Sequence, residues 1–250
     1  MAKHTDRYTN ENLINLATDK YEKTKRSTLP TEIVELTSQG KIYPKSHPLR
    51  SGKVEMRYMT AYDEDILTNQ TYMNEGVVFD KLLESLIVTD IDVKDIADVD
   101  RDKLIIYARI VSYGKEYEVT VTEPKTKTLL NRTVDLSKIK SIPFELESDD
   151  NGEFTYKIND EYTLKFAYTN ANTESISKFL SSTITQINNS RKDQDIENFI
   201  KFNFLAKDSK TFREYYNSNS PRLDYNYEFE GEDGGTFMAM FQLGPNLFWF

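Results

Sequence analysis

The hydrophobic pattern of this chain changes period at Gly114. Upstream, Val77, Phe79, Leu82, Leu83, Leu86 and Ile87, and then Leu104, Ile105, Ala108, Ile110 and Val111, recur at the spacing of one helix face. Downstream, residues 116–122 and 128–136 alternate apolar with polar positions and are rich in β-branched side chains, as half-buried strands are. Separate blocks of each period predict an α+β fold: mixed helices with antiparallel hairpins. Gly114 suits the glycine that closes a helix.

The same reasoning extends along the chain. Residues 54–59 alternate as a short strand, and Thr60 stands where an N-cap belongs, with Asp63, Glu64 and Asp65 in the first turn behind it. A hairpin is expected between 116–122 and 128–136, and a second between 154–158 and 162–168, turning at Asn159-Asp160. Helices are expected over 172–188, 194–205 and 209–217, the last capped by Asp208 and Ser209, and strands over 223–229 and 236–243. Residues 1–38 are polar, with one short helix expected over 10–23, and read as a flexible N-terminal arm. Residues 39–250 read as one body, with a strand-and-helix part (39–115), a hairpin part (116–170) and a part of helices plus C-terminal strands (171–250).

Composition narrows the function classes. The chain carries 41 acids against 32 lysines and arginines, a net charge of −9, which disfavours a generic nucleic-acid binder. It has no cysteine, so disulfides, thiolate metal sites and cysteine nucleophiles are excluded. The polar first residues predict neither signal peptide nor anchor, no apolar run approaches a membrane span, and a cytoplasmic origin is expected.

The chemistry-bearing patterns are weak. His4 lies in the arm, and His47, beside Pro48, reads as a turn residue. Asp98, Asp100 and Asp102 fall at the first acidic positions of a calcium loop. Lys103 then occupies the glycine position and Arg109 the glutamate position, so these acids read as caps of the following helix, with Arg101 and Arg109 available to pair with acids. Asp149-Asp150 cannot straddle a glycosidic bond, the acids of the segment 231–235 would repel phosphate, and no nucleotide or hydrolase motif is present. Neither enzymatic activity nor a cofactor is expected. The 16 tyrosines and 14 phenylalanines read mainly as core. Leu247, Phe248, Trp249 and Phe250 instead read as a candidate partner interface, an apolar tail expected to be buried in this chain or in a partner.

Three blocks occur in order: G-K-I-Y-P (40–44), M-T-A-Y-D-E-D-I-L (59–67) and D-R-D-K-L-I-I-Y-A-R-I-V-S-Y-G-K-E-Y (100–117). In these the chain resembles the baseplate hub and hub-assembly proteins of T4-like contractile-tailed bacteriophages. The D-S-K-T-F-R segment (208–213), expected as a helix, and the later P-R-L-D (221–224) fit the same resemblance. It implies a non-enzymatic structural or assembly protein whose partners are other baseplate hub proteins, present in the host cytoplasm during assembly and in the tail. Many members of that family carry cysteine knuckles of a zinc ribbon; the matching positions here are Glu123, Thr126, Glu230 and Asp233. Three acids and a threonine make a poor zinc cage, so the resemblance implies ribbon-like knuckles that lie close together without metal, packed by Tyr225, Tyr227, Phe229 and Phe237. The alternatives are a cytoplasmic adaptor or nucleic-acid-associated ribbon protein, for which Lys20, Lys23, Lys25 and Arg26 form a small basic group, and a hydrolase using acidic residues.

Overall fold

The computed structural model describes residues 29–142, 144–168, 170, 174–244 and 246–248. The helix expected over 10–23 and the basic group at residues 20–26 lie outside them. The architecture is α+β: among the described residues there are seven α-helices and several small antiparallel sheets.

β1 (Thr31–Glu35) pairs antiparallel with β2 (Lys53–Arg57), Thr31 opposite Arg57 and Glu35 opposite Lys53. The arm boundary at residue 38 is therefore corrected: residues 31–38 belong to the body. Val34 and Leu36 are buried, and Thr37 and Ser38 are buried polar residues, so tertiary contacts override the polar local composition. β2 leads into α1 (Ala61–Leu67), α2 (Gln70–Glu75), α3 (Val78–Leu86) and α4 (Asp98–Tyr113). Leu82, Leu83, Leu86 and Leu104 are fully covered, together with Val54 and Met56 from β2. Gly114, at φ 86°, ends α4 and donates to the Ile110 carbonyl.

The expected hairpin follows as β3 (Glu116–Thr122) and β4 (Leu129–Asp135), in register from Glu116↔Asp135 to Thr122↔Leu129. β5 (Lys140–Ile142) crosses to pair with the distant β9 (Arg222–Asp224). β6 (Phe154–Lys157) and β7 (Thr163–Phe166) form the second hairpin. The Asn159 side chain accepts from the Glu161 and Tyr162 amides and so fixes its turn.

The helix expected over 172–188 is wrong in its second half. α5 (Ile176–Thr183) gives way to β8 (Ile184–Ile187), which adds to β7 as the third strand of that sheet. Ile184 and Ile187 are buried there, and pairing with β7 wins over a helical pattern that β-branched residues support poorly. α6 (Asp193–Phe202) and α7 (Ala206–Ser218) follow. Ser209 is not a cap: Leu205 holds the N-cap position of α7 and its carbonyl accepts from the Ser209 amide, while Ser209 is buried one turn inside. The strand expected over 223–229 is split at Tyr225, because the Asp224 carboxylate accepts from the Asn226 amide and turns the chain from β9 into β10 (Asn226–Glu230). β10 pairs with β11 (Thr236–Met240).

Much of the aromatic excess is core. Phe166 stacks within 5.4–5.8 Å of Tyr168, Phe212 and Tyr216, and Phe154 lies 5.5 Å from Phe166, so the β6–β7–β8 sheet is joined to α7 through rings.

Candidate functional site

The three resemblance blocks converge on buried polar nodes. In the first, two glycines allow the chain to cross itself. Gly40 and Gly52 have φ of +78° and +71°, and a Cβ on Gly40 would sit 2.5 Å from the Arg50 carbonyl oxygen. Arg50 Nη1 then donates to the carbonyls of Lys41 (3.1 Å) and Tyr43 (2.9 Å) and to Ser148 Oγ (2.7 Å). This closed turn is pinned to α4 by Asp100, which is fully buried. Its carboxylate accepts from Ser38 N (2.8 Å), Ser38 Oγ (2.6 Å) and Tyr43 OH (2.8 Å), and Tyr43 OH in turn accepts from the Ala97 amide. Burial pushes the Asp100 carboxyl above the usual carboxylate range, opposed by the Ser38 and Tyr43 hydrogen bonds. Burial and the Asp100 charge also push the Tyr43 phenol up. Asp98 and Asp100 stand in the first turn of α4, as acids at a helix start were expected to, but Ala97 is the N-cap with no side-chain cap bond, and Asp100 points inward because Ser38 and Tyr43 satisfy it there. Arg101 pairs with Asp80 at 2.8 Å.

The second node joins β2, α1 and α3. Arg57 grips Asp63 with both terminal nitrogens at 2.7 Å, and Nη2 also reaches Ser85 Oγ at 2.7 Å. Ser85 Oγ donates to Asp63 Oδ1, and Thr60 donates to Asp63 Oδ2 through both its amide and its hydroxyl. Arg57, Asp63 and Ser85 are all buried. Burial alone would raise the Asp63 carboxyl, but the bonds from Arg57, Ser85 and Thr60 outweigh it and hold Asp63 below the usual range. Sequence reasoning assigned Asp63 to the helix dipole and missed Arg57. The available signal was an arginine closing an alternating strand just before Thr60, with an acid at the third helical position.

The third node holds the C-terminal segment. Arg109 Nε donates to the Leu247 carbonyl at 2.6 Å and Nη2 to the Glu116 carbonyl at 3.1 Å, and the guanidinium lies over the Tyr113 ring. An acid was the expected partner; the Nε and Nη2 bonds go to backbone carbonyls, which the start of β3 and the returning tail supply. Leu247 and Phe248 are buried, with Phe248 6.0 Å from Phe79 and 6.1 Å from Tyr113. Their cover is this chain itself. Trp249 and Phe250 lie outside the described residues.

The two knuckle positions meet in space. Glu123 is buried against Gly231, Lys125 Nζ stands 3.6 Å from the Asp233 carboxylate, and Arg132 Nε donates to the Glu230 carbonyl at 2.8 Å. Glu123 accepts from Thr126 Oγ1, and Asp233 accepts from the Gly235 amide at 2.9 Å. Tyr227, Phe229 and Phe237 pack at 5.3–5.9 Å, and Tyr225 packs on Phe241 at 5.7 Å. Glu123 and Asp233 thus have protein donors, and three acids with a threonine are a poor donor set for a structural tetrahedral zinc cage. Among the described residues no group of three or more His, Asp or Glu side chains is placed to hold a metal ion, and no helix is long and apolar enough to cross a membrane.

The motif residues of all three blocks are thus turned inward, where they tie the small sheets to the helices. A family model described as T4 bacteriophage base plate protein matches residues 30–232, and the chain belongs to that family. No curated protein and no solved structure matches it.

Proposed function

We propose that this chain is a hub subunit or hub-assembly factor of a contractile tail, binding neighbouring hub proteins without bond chemistry, in the host cytoplasm during assembly and then in the baseplate. The observation that supports this is the direction of its side chains. Tyr43, Arg57, Asp63, Asp100 and Arg109 are buried and bonded within the chain, whereas Phe202 and Leu205 stand 69% and 66% exposed at the corner between α6 and α7. Two large apolar side chains three positions apart at this helix corner form an anchor of the kind that protein interfaces use.

Gradient sedimentation of the full chain with baseplate hub proteins tests this. Wild type is expected to migrate with the complex. Burying each anchor is worth about 1.5–3 kcal/mol, so Phe202→Ala with Leu205→Ala should weaken association at least ~10-fold. The melting temperature should hold, because both side chains are already in water. Wild type migrating as a free monomer beside assembled hub proteins would overturn the proposal.

A further inference from the structure

The β10–β11 hairpin leaves one edge open. Gly231 N donates to Gly235 O and Phe241 N donates to Tyr225 O, so odd-numbered residues form the hydrogen-bonded pairs of this ladder. Asn226↔Met240, Glu228↔Met238 and Glu230↔Thr236 are therefore the other kind of pair, whose N–H and C=O groups point away from the hairpin. On the β10 side two such groups are used: the Glu230 carbonyl accepts from Arg132, and the Asn226 amide donates to the Asp224 carboxylate. On the β11 side, among the described residues, no backbone hydrogen bond reaches Thr236, Met238 or Met240 from outside the hairpin.

The side chains at that edge are equally open. Met238 and Met240 are 60% and 67% exposed on the face opposite Phe237 and Ala239. Edge strands are usually blunted by lysine, proline or a bulge, and Thr-Phe-Met-Ala-Met carries no charge and no proline. Residues 226–240 contain four carboxylates, Glu228, Glu230, Glu232 and Asp233, and no lysine or arginine. Among the described residues Asp233 has Lys125 nearby, Arg132 reaches the Glu230 backbone carbonyl, and Glu228 accepts from Thr236 Oγ1. A second copy of this acidic hairpin would be repelled, and a basic strand would be attracted.

We propose that the outer edge of β11 takes up an extended segment of a partner protein as an added strand, one that alternates apolar residues with lysine or arginine. Backbone bonds to Thr236, Met238 and Met240 would supply the pairing, the methionines a compliant apolar surface, and Glu228 and Glu230 the selection for basic residues. The assignment of that partner to the baseplate rests on the function proposed above; the edge itself does not.

The test uses the full chain and a synthetic seven-residue peptide, Thr-Val-Lys-Val-Lys-Val-Thr, with a second peptide in which glutamate replaces both lysines. The lysine peptide should bind, more weakly as salt rises, and should slow hydrogen exchange of the Met238 and Met240 amides. Met238→Pro deletes an outward N–H without removing a hairpin bond, and should weaken binding ~10-fold or more. The double variant Met238→Lys, Met240→Lys keeps every backbone donor and reverses the charge preference, so it should favour the glutamate peptide at an unchanged melting temperature. Equal binding of both peptides to wild type, protection elsewhere, self-association through this edge, or no binding up to about 1 mM would overturn the inference. Hub co-sedimentation is a separate readout, so failure of one proposal leaves the other standing.

Discussion

Asp63→Ala is the substitution that most strains this account of the fold. It leaves the Arg57 guanidinium almost fully buried, stripped of both 2.7 Å bonds to carboxylate, and leaves Ser85 and the Thr60 amide without their acceptor. Removing one member of a buried ion pair costs about 3–5 kcal/mol, mostly through the charge left behind. For a chain of this size, at ~2–4 °C per kcal/mol, the melting temperature should fall by about 6–20 °C. Urea unfolding followed by circular dichroism measures the same loss as a lower midpoint at unchanged slope. The pH dependence is a second check. Asp63 has a depressed pKa in the folded state, so its contribution is present above the unfolded value of about 3.9 and is lost as pH falls through the folded value. The gap between wild type and variant should therefore narrow in acid. The double variant Arg57→Met, Asp63→Leu removes both charges and should recover part of the loss. A cost below ~1 kcal/mol for Asp63→Ala, or a double variant no better than the single one, would show that this node does not hold β2 to α1 and α3.

Other outcomes follow from the same geometry. Gly40→Ala should abolish or severely reduce folding, since its Cβ would meet backbone at 2.5 Å, while Gly76→Ala, also at positive φ but in open space, should cost only about 1 kcal/mol by thermal melt. Tyr43→Phe removes a donor to the buried Asp100 carboxylate; because that carboxyl is raised, the loss should be larger where Asp100 is ionised than in acid below the unfolded value of about 3.9, where it is protonated folded and unfolded, as thermal melts across pH will read. Arg109→Ala should free the C-terminal segment, seen as faster hydrogen exchange at Leu247 with little change at β10. Deleting residues 247–250 should lower the melting temperature of the isolated protein, because Leu247 and Phe248 are buried in its own body.

The sequence carried the α+β alternation well, because the helices before Gly114 and the hairpin after it each have one face buried and one exposed. It failed where a partner distant in the chain decided the outcome. β1 lay in a segment polar enough to read as an arm, and β5 is three residues long and exists only through β9. The strand Ile184–Ile187 was hidden inside a helical pattern until β7 claimed it. The polar nodes were invisible for a related reason: Arg57, Asp100 and Arg109 look like surface charges, and only their partners, up to 138 residues away, turn them inward. The knuckle positions were found by resemblance, and what joins them, Glu123 against Gly231 and Arg132 on Glu230, had no signature in spacing.

The central claim is that this baseplate-family chain works by contact with other baseplate proteins. Lysine-directed crosslinking and mass spectrometry of hub assembly intermediates tests it most directly, because Lys201 and Lys207 flank the exposed Phe202 and Leu205. The account predicts crosslinks from Lys201 or Lys207 to other hub proteins, lost in the Phe202→Ala, Leu205→Ala variant. Crosslinks confined to this chain in intermediates where the hub proteins crosslink to one another would contradict it.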